Sequence, residues 1–345
     1  MDTQIFLILG QDGVTGGAIY ALLALALVLV FSVTRVIFIP QGEFVAFGAL
    51  SLAALQAGKV PATVWLLLAM GVVVAVIDAI ALVRDRDTAG LPRLLAWNVG
   101  YPLALALLLH LVNPGEFNMV VQIALTLAIL VPLGPMIYRI AYQPIAETSV
   151  LVLLIASVAV HLILTGFGLL FFGAEGVRTQ PFSDGSLSLG EISISIQTLW
   201  VVGCSLAFIV GLYAFFARTI YGKALRATAV NQSGAKLMGI SPVVAGKLTF
   251  LLAALLGVFS GILIAPITTI YYDTGFLIGL KGFVAAIIGG LASYPLAAAG
   301  ALLVGQLESF SSFWASSFKE VLVFTLIIPV LLWRSLTSHH VEDEE

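Results

Sequence analysis

The chain has 345 residues, of which 61% are hydrophobic and only 10% charged, against about 45–50% apolar and roughly 25% charged in ordinary soluble domains. Together with a mean hydropathy of +1.12, this excludes a soluble globular protein. A net charge of −3 without a clustered basic face excludes a nucleic-acid binder, and one cysteine, Cys204, excludes a disulfide framework or a cysteine metal site.

A membrane-crossing helix needs about 20 apolar residues, so the roughly 210 hydrophobic side chains suffice for about ten crossings with little left over. The first apolar run, Val14 to Thr34, has no Lys or Arg before it and is too long for a secretory leader, so it reads as a retained span. Further runs fall at about 41–57, 61–83, 98–112, 118–138, 149–172, 198–217, 246–270 and 320–334. Two shorter pieces, about 282–291 and 295–308, are split by Ser293-Tyr294-Pro295. They form either short tilted spans or one re-entrant hairpin. The pattern predicts an all-α polytopic membrane protein with about 9 to 11 membrane segments and a short broken-helix or re-entrant pair near the C-terminus.

Basic residues are retained on the cytoplasmic side. With the N-terminus outside and the C-terminus cytoplasmic, eleven of them, from Arg35 through Arg84, Arg139 and Arg226 to Arg334, lie inside; only Lys59, Arg178, Lys281 and Lys319 lie outside. The five tryptophans, Trp65, Trp97, Trp200, Trp314 and Trp333, fall at span ends or in loops, where an interfacial belt would put them. Three extramembrane segments remain. Arg84-Asp85-Arg86-Asp87 through Arg93 is a mixed-charge loop. Residues 173–197 on the outer side alternate Leu187, Leu189, Ile192, Ile194 and Ile196 with serines around Gly190-Glu191, the signature of a β-hairpin. Residues 218–247 form the longest and most basic cytoplasmic loop.

No enzyme constellation emerges. Gly222-Lys223 and Gly246-Lys247 lack the frame of a phosphate loop, and of the four histidines only His161 sits mid-span, so no zinc set is available. Ser157, His161 and Thr165 are spaced to share one helix face, which should face protein, either for interhelical hydrogen bonding or as lining of a solute path. Gly257 to Gly261 is a small-xxx-small packing surface. Pro40-Gln41-Gly42-Glu43 and Gly289-Gly290-Leu291-Ala292-Ser293-Tyr294-Pro295 interrupt short spans in opposite halves. They are either simple turns or the broken helices that hold a ligand at mid-membrane in transporters. Glu43 either complements a helix dipole or contacts the solute. Residues 221–239 are mostly good helix formers closed by Gly239, and Ser241-Pro242 starts the next span. A short helix there with exposed Leu237 and Met238 would plug a partner's groove. Sparse intramembrane charges leave an ion-coupled secondary transporter or channel as the alternative.

Several motifs in fixed order then carry a resemblance over nearly the whole chain. They are Gly17-Ala18-Ile19-Tyr20-Ala21-Leu22, Gln41-Gly42-Glu43-Phe44, Tyr142-Gln143-Pro144, Phe171-Phe172-Gly173, Arg226-Ala227, Asn231, Ala235, Leu237-Met238-Gly239-Ile240, Gly289-Gly290, Ser293, Gly305 and Glu308. The chain resembles a permease subunit of the branched-chain amino acid (hydrophobic amino acid uptake) family of bacterial ABC importers. The resemblance implies one permease domain over 1–345 in the bacterial inner membrane. Its solute would be a branched-chain or other hydrophobic amino acid, or a related small carboxylate, moved by alternating access. It also implies a second related permease subunit, two ATP-binding cassette ATPases that hydrolyse the ATP, and a periplasmic solute-binding protein, with no cofactor or metal on this chain. Arg226, Asn231, Ala235, Leu237, Met238 and Gly239 would then couple to the ATPases, and Gln41, Gly42, Glu43, His161, Gly289, Gly290 and Ser293 would line the solute path. Residues of about 84–117 look inserted relative to the family pattern. Phe38 stands where asparagine is typical, Pro40 where a small residue is, and Leu296 where glycine is usual. The aromatic at 38 favours a bulkier or more apolar solute, such as an aromatic acid.

Overall fold

A computed structural model describes residues 3–84, 89–189 and 192–337; the centre of the mixed-charge loop and the Gly190-Glu191 turn lie outside them. In chain order the helices are α1 (Thr3–Thr34), α2 (Gln41–Gln56), α3 (Thr63–Arg84), α4 (Leu91–Leu95), α5 (Tyr101–Leu111), α6 (Met119–Leu130), α7 (Leu133–Ile137) and α8 (Val150–Phe172). The hairpin β1 (Ser186–Leu189) and β2 (Ile192–Ser195) follows, pairing Ser186 with Ser195 and Leu189 with Ile192. Then come α9 (Ile196–Arg218), α10 (Ile220–Val230), α11 (Gln232–Leu237), α12 (Pro242–Ile264), α13 (Thr274–Ile288), α14 (Tyr294–Trp314), α15 (Lys319–Thr325) and α16 (Ile327–Thr337). A π turn, Ala96–Gly100, joins α4 to α5.

Among the described residues nine helical segments are long and apolar enough to cross a membrane, so the chain is an all-α polytopic membrane protein. Two boundaries correct the apolar runs. α1 starts at Thr3, well before Val14, and α14 has 21 residues, so the piece expected at 295–308 is a full-length helix. Polar residues hid both, and the structure pairs them with one another. Gln306 Nε2 donates to the Gly10 carbonyl at 2.9 Å, and Ser309 Oγ to that of Leu9 at 2.7 Å. The other short piece is α13, 15 residues or roughly 22 Å at 1.5 Å per residue, shorter than the roughly 30 Å hydrocarbon core.

The core is built around α2, buried over most of its length. α12 lies against it through glycines: a Cβ on Gly257 would meet Phe44 Cβ at 2.8 Å, and one on Gly261 would strike the Val45 carbonyl. Lipid supplies no hydrophobic drive between helices, so close backbone approach over small residues carries the association. The loops sort to two ends. At one end Val177 bridges Ile270, and the Gln180 N–H donates to Gln56 Oε1 at 3.0 Å. At the other, Phe216 packs on Tyr294 (ring centroids 5.6 Å), and Leu29, Val33, Leu225 and Ala245 form a small core under α10.

Gly261→Ala should destabilise the protein by about 1–3 kcal/mol, the cost of overpacking. Gly203→Ala on α9, with nothing within 4 Å, should be neutral; thermal unfolding in lipid nanodiscs compares the two.

Candidate functional site

After α1 the chain does not leave the bundle. Arg35 turns it with φ of 60°, and residues 35–38 run without regular structure. α2 then starts at Gln41, whose Nε2 donates to the carbonyl of Ala253, in the middle of α12, at 2.9 Å. α2 therefore begins halfway along its neighbour. Non-helical backbone at that depth is tolerated only where protein covers it. Here Phe38, fully buried, packs edge-on against Phe250 (4.8 Å) and Tyr142 (6.0 Å).

The short helix α13 meets α2 at this level. A Cβ on Gly42 would strike the Gly275 carbonyl, one on Gly275 would strike that of Gly42, and Gly279 backs onto Gly42 as well. The first turns of the two helices thus lie side by side, and their positive dipole ends converge.

Glu43 stands in the first turn of α2, 2% exposed. Its Oε1 is 2.6 Å from Nδ1 of His161, in the middle of α8. The imidazole stacks on Phe276 of α13 (centroids 4.4 Å, 26°), and Thr165 Oγ1 lies 3.5 Å from Nδ1. Ser157 Oγ bonds Tyr142 OH at 3.0 Å, so the Ser157-His161-Thr165 stripe faces protein. Among the described residues Glu43 Oε2 and Gln41 Oε1 are buried without a hydrogen-bond partner. Next to this junction is an apolar cavity of about 160 Å³, lined by Leu27, Ile37, Phe38, Ile39, Leu154, Gly279, Leu280 and Phe283.

Gln41, Gly42, Glu43 and His161 are thus brought together. Gly289, Gly290 and Ser293 are not. They lie at the far end of α13, roughly 20 Å along its axis, where Gly290 (φ 65°) and Leu291 (φ 56°) make a tight turn. The Leu291 N–H donates to the Ala286 carbonyl at 2.9 Å, the Gly290 N–H to that of Ile287 at 2.8 Å, and Ser293 caps α14. The late interruption is therefore a closed C-cap and turn, and only the early one leaves a helix start at mid-membrane. Leu296 is exposed on α14, away from this junction.

The sequence reading missed a second polar cluster. Lys281, expected in an outer loop, is 5% exposed within α13. Its Nζ lies 2.6 Å from Glu308 Oε1 on α14 and 3.1 Å from Glu320 Oε1 on α15. Tyr20 OH of α1 donates to Glu308 Oε2 at 2.5 Å. The available signal was a lone Lys inside an apolar run followed by Glu308 in the next one, since an ionisable residue within the membrane needs a partner. Asp78 likewise pairs with Arg139, at 2.6 Å.

The segment 221–239 forms two helices rather than one. Asn231 leaves helical geometry (φ −151°, ψ 100°), and its Oδ1 accepts from the Gly234 N–H at 2.8 Å. It acts as an N-cap, the competing role open to a short polar side chain. Gly239 (φ 83°) closes α11: its N–H donates to the Lys236 carbonyl and that of Ile240 to the Ala235 carbonyl, a Schellman end. Ser241 caps α12 as expected. Leu237 and Met238 are 88% and 83% exposed. Arg226, Asn231, Ala235 and Met238 line one open groove of about 680 Å³. Leu237 stands beside it, and Gly239 holds the turn.

A family model described as branched-chain amino acid transport system / permease component matches residues 96–331. The chain belongs to that family of transport permeases. The high-affinity branched-chain amino acid transport system permease protein LivH of Escherichia coli (strain K12) is 28% identical over 336 residues, 93% of this chain and 91% of LivH. BraD of Pseudomonas aeruginosa, with the same description, is 31% identical over 208 residues, 58% of this chain and 68% of BraD. A Methanocaldococcus jannaschii protein named a probable branched-chain amino acid transport permease is 29% identical over 222 residues, 60% of this chain and 70% of its own length. No solved structure matches the chain significantly.

Lys281→Met leaves two carboxylates facing each other at low exposure. It should destabilise the protein by about 3–5 kcal/mol, the cost of breaking a buried pair. Adding Glu308→Gln should recover part of that loss, read as the unfolding midpoint in nanodiscs.

Proposed function

We propose that this permease is one membrane subunit of an ATP-driven importer in the cytoplasmic membrane, its N-terminus outside and its C-terminus inside. It moves a branched-chain or other hydrophobic amino acid, or a related small carboxylate, inward by alternating access. Its partners are a second related permease, two ATP-binding cassette ATPases that bind and hydrolyse the nucleotide, and a solute-binding protein on the outer face. The family match disfavours an ion-coupled secondary transporter or channel.

The observation that carries the coupling role is the α10–α11 pair. Two short helices, fixed by the Asn231 cap and the Gly239 turn, hold Leu237 and Met238 out of the bundle beside a groove lined by Arg226, Asn231 and Ala235. Exposed apolar side chains on a rigid support outside a lipid-facing body suit a partner protein's groove. This segment lies at the end where Arg218, Lys223, Arg226 and Lys236 cluster, as the basic-residue rule requires of a cytoplasmic face. The outer face carries the hairpin and an open pocket of about 670 Å³ with Asp12 and Asp184 among its lining. The solute path runs by the junction of Gln41, Gly42, Glu43 and His161.

Met238→Asp should abolish solute-stimulated ATP hydrolysis by the assembled complex while leaving binding to the soluble receptor intact. Unchanged hydrolysis would remove α10–α11 from the coupling role.

A further inference from the structure

Helix α10 meets the bundle through one face. Its buried residues are Gly222, Leu225 and Thr228, three apart and so on one side of the helix, whereas Ile220, Tyr221 and Val230 are exposed. A Cβ on Gly222 would strike the Phe215 carbonyl and the Phe216 Cα, so α10 sits directly on the last turn of α9. Thr219 fixes its start, Oγ1 accepting from the Gly222 N–H at 3.0 Å. Leu225, 1% exposed, then enters a core made by Leu29 and Val33 of α1, Phe216 of α9 and Ala245 of α12, with Tyr294 at the start of α14 packed against it.

The part of α1 in this core is the part that leads into the mid-membrane break. Val33 is two residues before Arg35, whose φ of 60° is a conformation that a side chain rarely adopts and that persists only where neighbours hold it. Val36 and Phe38, both buried, carry the chain on to Gln41 and the start of α2. Close-packed side chains pass a displacement on rather than absorb it.

We infer that Leu225 is a positioning residue that ties α10 to the Thr34 end of α1, so that a displacement imposed on Leu237 and Met238 is delivered to residues 35–40 and the first turn of α2. The inference deepens the coupling role proposed for α10–α11 and rests on it. Leu225 lines neither the open groove beside Met238 nor the apolar cavity beside Phe38; it acts through α1. With its side chain removed, α10 shifts against α1 without carrying it.

The test uses the whole complex, with its co-encoded partner subunits and receptor, in proteoliposomes. Uptake of radiolabelled leucine and ATP hydrolysis are measured together, and the readout is leucine moved per ATP. Leu225→Ala should lower that ratio by about fivefold or more while complex assembly and hydrolysis without solute are retained, and Leu225→Met, which keeps the volume, should restore it. Leu109→Ala on α5, an equally buried leucine outside this core, should leave the ratio unchanged. Val33→Ala, made from the α1 side, should reproduce the loss, and the double variant should lose no more than the larger single one. An unchanged ratio in Leu225→Ala, an equal fall in Leu109→Ala, or additive losses in the double variant would overturn the inference. If Leu225→Ala does not assemble, Val33→Ala decides by the same outcomes. Failure of the wild-type complex to take up leucine or any other amino acid on ATP would instead overturn the permease reading beneath it.

Discussion

Hydrocarbon offers no partner to a backbone N–H or C=O group, so any stretch of chain that is not helical at mid-membrane must be wrapped in protein. Most of this architecture follows from satisfying that constraint at one place, the irregular chain between α1 and α2. Phe38 with Phe250 and Tyr142 encloses it. The glycines of α12 and α13 bring backbones close enough to seal the first turn of α2, and α2 itself is the most enclosed helix of the bundle. A helix start under such cover is useful in a way that a surface one is not, because its dipole acts in a medium that does not screen it. Glu43, His161 and Gln41 gather at that start, with Glu43 Oε2 and Gln41 Oε1 lacking a partner among the described residues.

α13 links this junction to the second buried cluster. Its first turn presents Gly275 and Phe276 to α2 and His161, and two turns on Lys281 is tied to Glu308 and Glu320 on the next two helices, with Tyr20 of α1 completing the set. An isolated charge at this depth costs about 2.5–3.5 kcal/mol or more, and a helix carrying one is held wherever its partners are. The cluster therefore fixes the depth and rotation of α13, and through it the position of the walls of the Glu43 site. Both features lie on a helix too short to cross the hydrocarbon alone, which is why they depend on neighbours on every side.

Much of this was legible in the sequence. Apolar runs located the spans, the serine–isoleucine alternation located the hairpin, and the spacing of Ser157, His161 and Thr165 correctly turned that face toward protein. The order of weak motifs pointed to the family that residues 96–331 match. What escaped were features whose signal lies in partners far along the chain. The length of α14 was masked by Gln306 and Ser309, which are satisfied by α1 almost three hundred residues earlier. Lys281 looked like a loop charge because its carboxylates are on other helices. The two Gly- and Pro-bearing interruptions looked alike, yet one starts a helix beside the middle of α12 and the other is a C-cap at the far end of α13. Local composition does not encode depth. Asn231 was visible as a residue, but its choice between continuing a helix and capping a new one is settled by the Oδ1 bond to Gly234.

The central claim is that α2 begins inside the membrane, against the middle of α8, with its first turn beside that of α13. A cryo-electron microscopy map of the assembled complex in nanodiscs tests it most directly. The account predicts non-helical chain leading from the end of α1 and helical density starting at Gln41, level with His161. Helical density for α2 that starts at the membrane face, or a Glu43 carboxylate turned to lipid or solvent away from His161, would contradict it.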